Sequence, residues 1–113
     1  MGRVHAFEVL ADPVRRRVVE LIAVTELTAG DIALRMGREF GVSQPGVSQH
    51  LRVLREGGFA TVRAQGAQRW YSLDPAPLAE LDGWLQTYRR FWAARLDALD
   101  TEIRRGRRDR ETP

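Results

Sequence analysis

Residues 41–59 read GVSQPGVSQHLRVLREGGF, and the tetrapeptide GVSQ occurs in them twice, five positions apart. A five-residue offset turns a helix by about 140°, so the two copies cannot hold equivalent places on one helix. The first copy reads as a turn and a cap. Gly41 leaves a preceding helix, Val42 packs inward and Ser43 caps, while Gln44-Pro45 opens the next helix, where proline is tolerated. The second copy lies inside that helix. There Val47, Leu51 and Leu54 follow one another at i, i+4, i+7 as a core stripe. Pro45, Gln49, Arg52 and Glu56 lie opposite, with Gln44 and Ser48 on the flank. Gly57-Gly58 stops the run. The stretch predicts a tight helix–turn–helix whose second helix covers about 44–56.

Upstream, residues 4–10 (VHAFEVL) form a short apolar helical lead-in. Asp12-Pro13 is a helix start, since aspartate caps free amides and proline is preformed for a first turn. Val14, Val18, Leu21 and Ile22 then share one face. Arg15, Arg16 and Arg17 lie mainly outside, as a solvated face or, alternatively, as phosphate contacts. Thr28 and Asp31 have capping-box spacing and begin another helix. Its stripe is Ala29, Ile32, Ala33, Met36 and Phe40, and Gly41 ends it.

Downstream, FATVRAQ and AQRWYSL flank Gly66 with β-branched and aromatic residues, the pattern of a hairpin. Asp74-Pro75 then caps a further helix. From Leu78 an apolar stripe continues through Leu81, Leu85, Tyr88, Trp92, Leu96, Leu99 and Ile103 at steps of three and four. RRGRRDRETP, residues 104–113, is charged and has nothing apolar, so a flexible tail is expected.

The 113 residues suffice for one domain with a modest core. There is no cysteine, which removes disulfides, thiolate ligands and thiol nucleophiles together. All 18 basic residues are arginine, and the formal charge is only +3. Residues 41–73 carry Arg52, Arg55, Arg63 and Arg69 against Glu56, whereas residues 74–103 carry three arginines against six acids. A basic middle beside an acidic segment suits an anionic partner on one surface only. No stretch approaches the ~18–20 apolar residues of a membrane span. No secretory leader is evident, so a cytoplasmic location and no membrane contact are expected.

Helix, helix, tight turn, polar-faced helix and basic hairpin make a winged helix–turn–helix pattern. Glutamine offers the donor and acceptor pair that matches adenine in the major groove; arginine serves guanine or the backbone. The DNA-binding candidates are Ser43, Gln44, Ser48, Gln49 and Arg52, joined in the wing by Arg63 and Arg69. Wing arginines position a protein on phosphates without reading sequence.

LADPVRRRVVELI, followed by SQPGVSQHLRVLREGGFATVRAQGAQRWYSLDP, resembles the ArsR-type family of bacterial winged-helix repressors across residues 6–103. The VSQPxVSQHLxVLRxxG stretch is more specific than a bare helix–turn–helix pattern. The resemblance implies a homodimer that occupies promoter palindromes in double-stranded DNA and leaves when an effector binds. It also places Gln44, Ser48 and Gln49 at base-facing positions. Two departures stand out. LTAGDIALRM lacks the cysteine pair of the family's metal sensors, and LQTYRRFWAARLDALDTE lacks the histidines of its other metal sites, so no metal is expected. REFG makes the helix before the turn about one turn longer than the family implies.

The fold expected is mostly α with a small β-hairpin: a single winged helix–turn–helix domain over 1–103 with a long C-terminal dimerisation helix. Its wing covers about 59–73 and its C-terminal helix about 76–104. Leu78, Leu81, Leu85, Tyr88, Trp92, Leu96 and Leu99 are the expected dimer interface. Trp84, Tyr88, Phe91 and Trp92 can line a small-molecule pocket, although aromatics at helical spacing more commonly pack. His50 reads as a packed or backbone-bonded histidine. Asp97, Asp100 and Glu102 read as solvated acids. An enzyme is set aside, because Ser48 and His50 point to different faces and no metal or phosphate-loop motif exists. No cofactor is called for, and the residues identify no effector. The rival reading is a winged-helix protein–protein module.

Overall fold

The helix starts after Asp12, Thr28, Ser43 and Asp74 carry the residue chemistry that their sequence positions imply. The structure, a computed structural model, describes residues 2–111. Helix α1 (Gly2–Leu10) is followed by Asp12, whose carboxylate accepts from the Val14 and Arg15 amides at 2.8 and 3.2 Å and so caps α2 (Pro13–Val24). Thr28 Oγ1 accepts from Asp31 N at 3.1 Å and caps α3 (Ala29–Phe40). Ser43 Oγ accepts from Gly46 N at 3.2 Å and caps α4 (Gln44–Glu56). Gly41 between them has φ +70°, the left-handed conformation that ends α3 cleanly. Three residues thus turn one helix into the next.

After the Gly57-Gly58 stop, β2 (Ala60–Gln65) and β3 (Gln68–Leu73) pair antiparallel, Val62 opposite Tyr71 and Gln65 opposite Gln68. Gly66 alone takes a positive φ, +62°, at the first turn position, as a two-residue hairpin of the II′ kind requires. A third strand accompanies them. β1 (Leu27–Thr28) pairs with β3, giving the order β1-β3-β2 where the sequence predicts only a hairpin. Two residues are too few to show period-2 alternation.

The chain divides at Leu81 and Asp82 into two units. In the first, Val9, Val18, Ile32, Met36, Val47, Leu54 and Phe59 are fully buried and form the centre of the core. The predicted stripe of α4 is entirely inside, and Val19 joins that of α2. Phe40 is a correction: it stays 43% exposed, being the last residue of α3, where Gly41 turns the chain away. Leu81 is 8% exposed within its own chain and Leu78 packs against the same core, so both contribute to the core of the single chain.

The second unit is helical. Helix α5 (Ala76–Glu111) begins after Asp74, whose carboxylate accepts from Ala76 N at 3.0 Å. It extends past the expected end at 104, so residues 104–111 are helix where a flexible tail is predicted. Arginine is a good helix former, and cations suit a helix C-terminus, which outweighs the missing apolar face. The last two residues of that predicted tail, 112 and 113, lie outside the described residues.

Candidate nucleic-acid interface

The outer face of α4 is built from its inner one. Because Val47, Leu51 and Leu54 are buried, the 100° step per residue turns Ser48, Gln49 and Arg52 outward, with Gln44 at the flank. All four are exposed, as is Ser43 at the cap. Ser43 accepts the Gly46 amide, so its own hydroxyl proton stays available for an anion. Arg52 Nε donates to Glu56 Oε1 at 3.1 Å, one turn along the same face. Gly46 shows why the second GVSQ also begins with glycine: a Cβ there would lie 2.8 Å from Val42 Cγ1 and 3.2 Å from Ser43 Oγ. The two copies perform different tasks with the same residues.

His50 is packed, as its place beside the core stripe implies. Arg15 Nη1 lies 3.2 Å from His50 Nδ1, on the side of the ring away from Nε2. That nitrogen is 4.0 Å from Asp12 Oδ1. Partial burial pushes the Asp12 carboxyl up. The Arg15 amide, the His50 charge, the Val14 amide and the Arg15 charge together outweigh it and leave the group below its ordinary value. The same Arg15 donates Nε to Val9 O at 2.7 Å and Nη2 to Glu8 O at 3.1 Å. Arg16 donates to Leu10 O and Ala11 O. Arg17 joins Glu39 of α3 and Glu20, bonds that hold its guanidinium above its ordinary value. The arginine triplet therefore also bonds to the protein's own backbone and acids. It closes the end of α1, ties α2 to α3 and props α4 through His50.

The wing differs from expectation in one residue. Arg63 grips Glu26 with two nitrogens, at 2.9 and 3.0 Å, and donates a third bond to Gln65 Oε1 at 2.7 Å. Its guanidinium also lies over the Trp70 ring, 5.4 Å from the centroid. Hydrogen bonding to Arg63 lowers the Glu26 carboxyl below its ordinary value, and Arg63 is raised in return. Arg63 thus fastens β2 to the residue before β1. Arg69 on β3 is exposed and makes no ion pair among the described residues. Arg55, which sequence reasoning left out of the site, is likewise exposed without an ion pair among them. Eleven residues after Gln44, it falls on the flank of Gln44 and Ser48 by helical period, which was the available signal.

On α5, Leu85, Tyr88, Phe91, Trp92, Leu96 and Leu99 are 36–63% exposed within the single chain. Trp84 is half-buried, and its ring stands 5.0 Å from that of Tyr88, tilted by 57°. Trp84, Tyr88, Phe91 and Trp92 fall within a sector of about 100°. Within one chain they form an open surface. Among the described residues no group of three or more histidine or acidic side chains is placed to hold a metal ion, and no helix is long and apolar enough to cross a membrane.

Known proteins of the same kind match this geometry. A family described as a helix-turn-helix domain matches residues 10–63. The HTH-type transcriptional regulator Rv2034 of Mycobacterium tuberculosis (strain ATCC 25618 / H37Rv) is 42% identical over 92 residues, 81% of this chain and 79% of that protein. The transcriptional repressor SdpR of Bacillus subtilis (strain 168) is 30% identical over 84 residues, 74% of this chain and 89% of the relative. A crystal structure described as a possible transcriptional regulator for arsenical resistance is 40% identical and superposes with a TM-score of 0.65, over 86% of this chain and 94% of the other. Sequence, turn geometry and relatives agree: the chain belongs to the ArsR-type family of DNA-binding winged helix–turn–helix transcriptional regulators.

Proposed function

We propose that the chain is a homodimeric repressor that reads a promoter palindrome in double-stranded DNA with α4. The observation that carries this is the composition of the α4 outer face, where Gln44, Ser48, Gln49 and Arg52 are all exposed while every apolar residue of the stripe is buried. Gln49 and Gln44 offer bidentate donors and acceptors to adenine, Ser48 a short hydroxyl, and Arg52 a guanidinium for guanine or phosphate. Ser43, Arg55 and Arg69 contribute contacts that set register without reading bases. Arg63 acts at one remove, by holding the wing.

Dimerisation is proposed through Leu85, Tyr88, Trp92, Leu96 and Leu99, a stripe that a single chain leaves wet. Burying such side chains stabilises association by roughly 1.5–3 kcal/mol each before the ordering costs. Trp84 and Phe91 border the stripe, and the aromatic quartet is better used as interface packing than as a ligand pocket. As a repressor, the dimer acts by occupying the promoter and blocking polymerase. A mobility-shift assay at low salt on the chain's own upstream DNA tests the reading. Wild type should shift the fragment and Gln49→Ala should need markedly more protein. Wild type failing to bind would refute the proposal, and sedimentation as a monomer at micromolar concentration would refute the dimer.

A further inference from the structure

The wing tip has no core beneath it. From Arg63 to Arg69 every residue is exposed, and burial on the two strands is confined to their inner ends, at Ala60 and Tyr71. A two-stranded hairpin is marginal in water, so it keeps one pose only with support from another element. β1 supplies little of that support, since only Leu27 and Thr28 pair with β3, opposite Tyr71 and Trp70.

The rest comes from a side-chain strap. Glu26 stands just before β1 and Arg63 lies on β2, with β3 running between those two strands. The Arg63 guanidinium spans the middle strand and donates Nε and Nη2 to the two Glu26 oxygens, at 2.9 and 3.0 Å. Its face lies over Trp70 of that strand, and Nη1 meets Gln65 Oε1, nearer the tip, at 2.7 Å. One cation thus fastens three strands at the level where burial stops. The strap also reaches the helix–turn–helix. Two residues beyond Glu26, Thr28 caps α3, and residues 41–43 join α3 to α4.

The pair is a poor device for stability. Its side chains are 51% and 38% exposed, and an ion pair this wet adds little to the folding free energy. An acid beside a surface that meets phosphate is also unfavourable at long range. What the carboxylate holds in place accounts for it better than either effect.

We infer that Glu26 is a positioning residue for DNA binding: through Arg63 it fixes the pose of the wing and so sets Arg69 against the phosphate backbone. The inference rests on the DNA-binding reading above, with Arg69 as the wing's contact. Glu26 itself touches no DNA.

Fluorescence anisotropy from 50 to 200 mM salt tests this with full-length protein, on the chain's upstream fragment and a scrambled duplex of equal length. Glu26→Gln keeps the shape and removes the charge. Loss of an acid would by itself tighten binding. Loss of positioning should instead weaken both duplexes by roughly 3- to 10-fold and shrink the slope of log K against log salt by about 1. Arg69→Gln should weaken binding by a similar factor alone, and by almost nothing further in the Glu26→Gln background, where its contact is already lost. Thermal unfolding of Glu26→Gln should stay within ~4 °C of wild type. Tighter binding with a steeper slope overturns the inference, because Glu26 would then be withholding Arg63 from phosphate. Losses that add in the double variant overturn it too, as does unchanged affinity in Glu26→Gln. A Tm loss that matches the affinity loss assigns Glu26 to the fold and also overturns it. Wild type binding neither duplex overturns the DNA reading and this inference together.

Discussion

Replacing Arg52 by alanine separates what the residue does for the fold from what it does for DNA. In the free protein its guanidinium contacts Glu56 one turn away, and the two side chains are 66% and 63% exposed. A pair this wet contributes about 0.3–0.5 kcal/mol, and the higher helix propensity of alanine offsets part of that. Unfolding free energy should therefore change by less than about 0.5 kcal/mol, a Tm shift within about 4 °C for a domain of this size. A guanidinium on a base edge or phosphate is worth about 1–3 kcal/mol, an affinity loss of roughly 5- to 150-fold. The two effects differ enough to be read independently. Glu56→Gln supplies the converse: it keeps the shape, frees Arg52 and removes an acid that repels phosphate, so Kd should tighten a few-fold. Fluorescence anisotropy on the upstream duplex at two salt concentrations, beside thermal unfolding by circular dichroism, measures both. A phosphate contact lowers the salt slope by about 0.9, whereas a base contact confines the loss to one position of the site. Unchanged affinity for Arg52→Ala, or a stability loss as large as the affinity loss, would refute the assignment.

Three further outcomes follow from the packing. Gly46→Ala places a Cβ 2.8 Å from the stiff Val42 side chain and crowds the Ser43 cap, so thermal unfolding should show a loss of about 1 kcal/mol, or roughly 4–8 °C; an unchanged Tm would mean the turn has slack. Trp70 Nε1 is buried with no partner among the described residues, an arrangement that costs about 1–3 kcal/mol. Trp70→Phe should leave stability equal or raised by up to ~1 kcal/mol in urea unfolding, and a drop above ~2 kcal/mol would reveal a partner for that N–H. The Asp12 carboxyl is held below its ordinary value, so its contribution is present above the unfolded value of about 4 and lost as pH falls through the lower folded one. Asp12→Asn, which still caps a helix, should match wild type in slope at neutral pH and flatten the acid limb of a stability–pH curve.

Residues with a local signature were legible in the sequence, and those defined by distant partners were not. Caps at Asp12, Thr28 and Ser43, the glycine stops and the α4 stripe each depend on neighbours within about four residues, and each stands where the spacing placed it. Arg63 looked like a phosphate contact because its own segment has no acid; Glu26, 37 positions away, supplies one. Arg15 and His50 are 35 apart, and nothing in either segment announces the other. Leu78 and Leu81 continue the α5 stripe without a break, yet the chain's own core takes them first. The arginine-rich end of α5 has a composition that suggests disorder, but arginine's helix propensity and the preceding turns carry the helix through it.

Footprinting of the wild-type protein on its own upstream DNA by hydroxyl radicals tests the central claim most directly, namely that paired copies of α4 grip one duplex. Two protected half-sites should appear, centred about one helical turn, ~10–10.5 base pairs, apart. Gln49→Ala should clear both at a protein concentration where wild type protects them. A single short protected segment, or protection that Gln49→Ala leaves intact, would contradict the account.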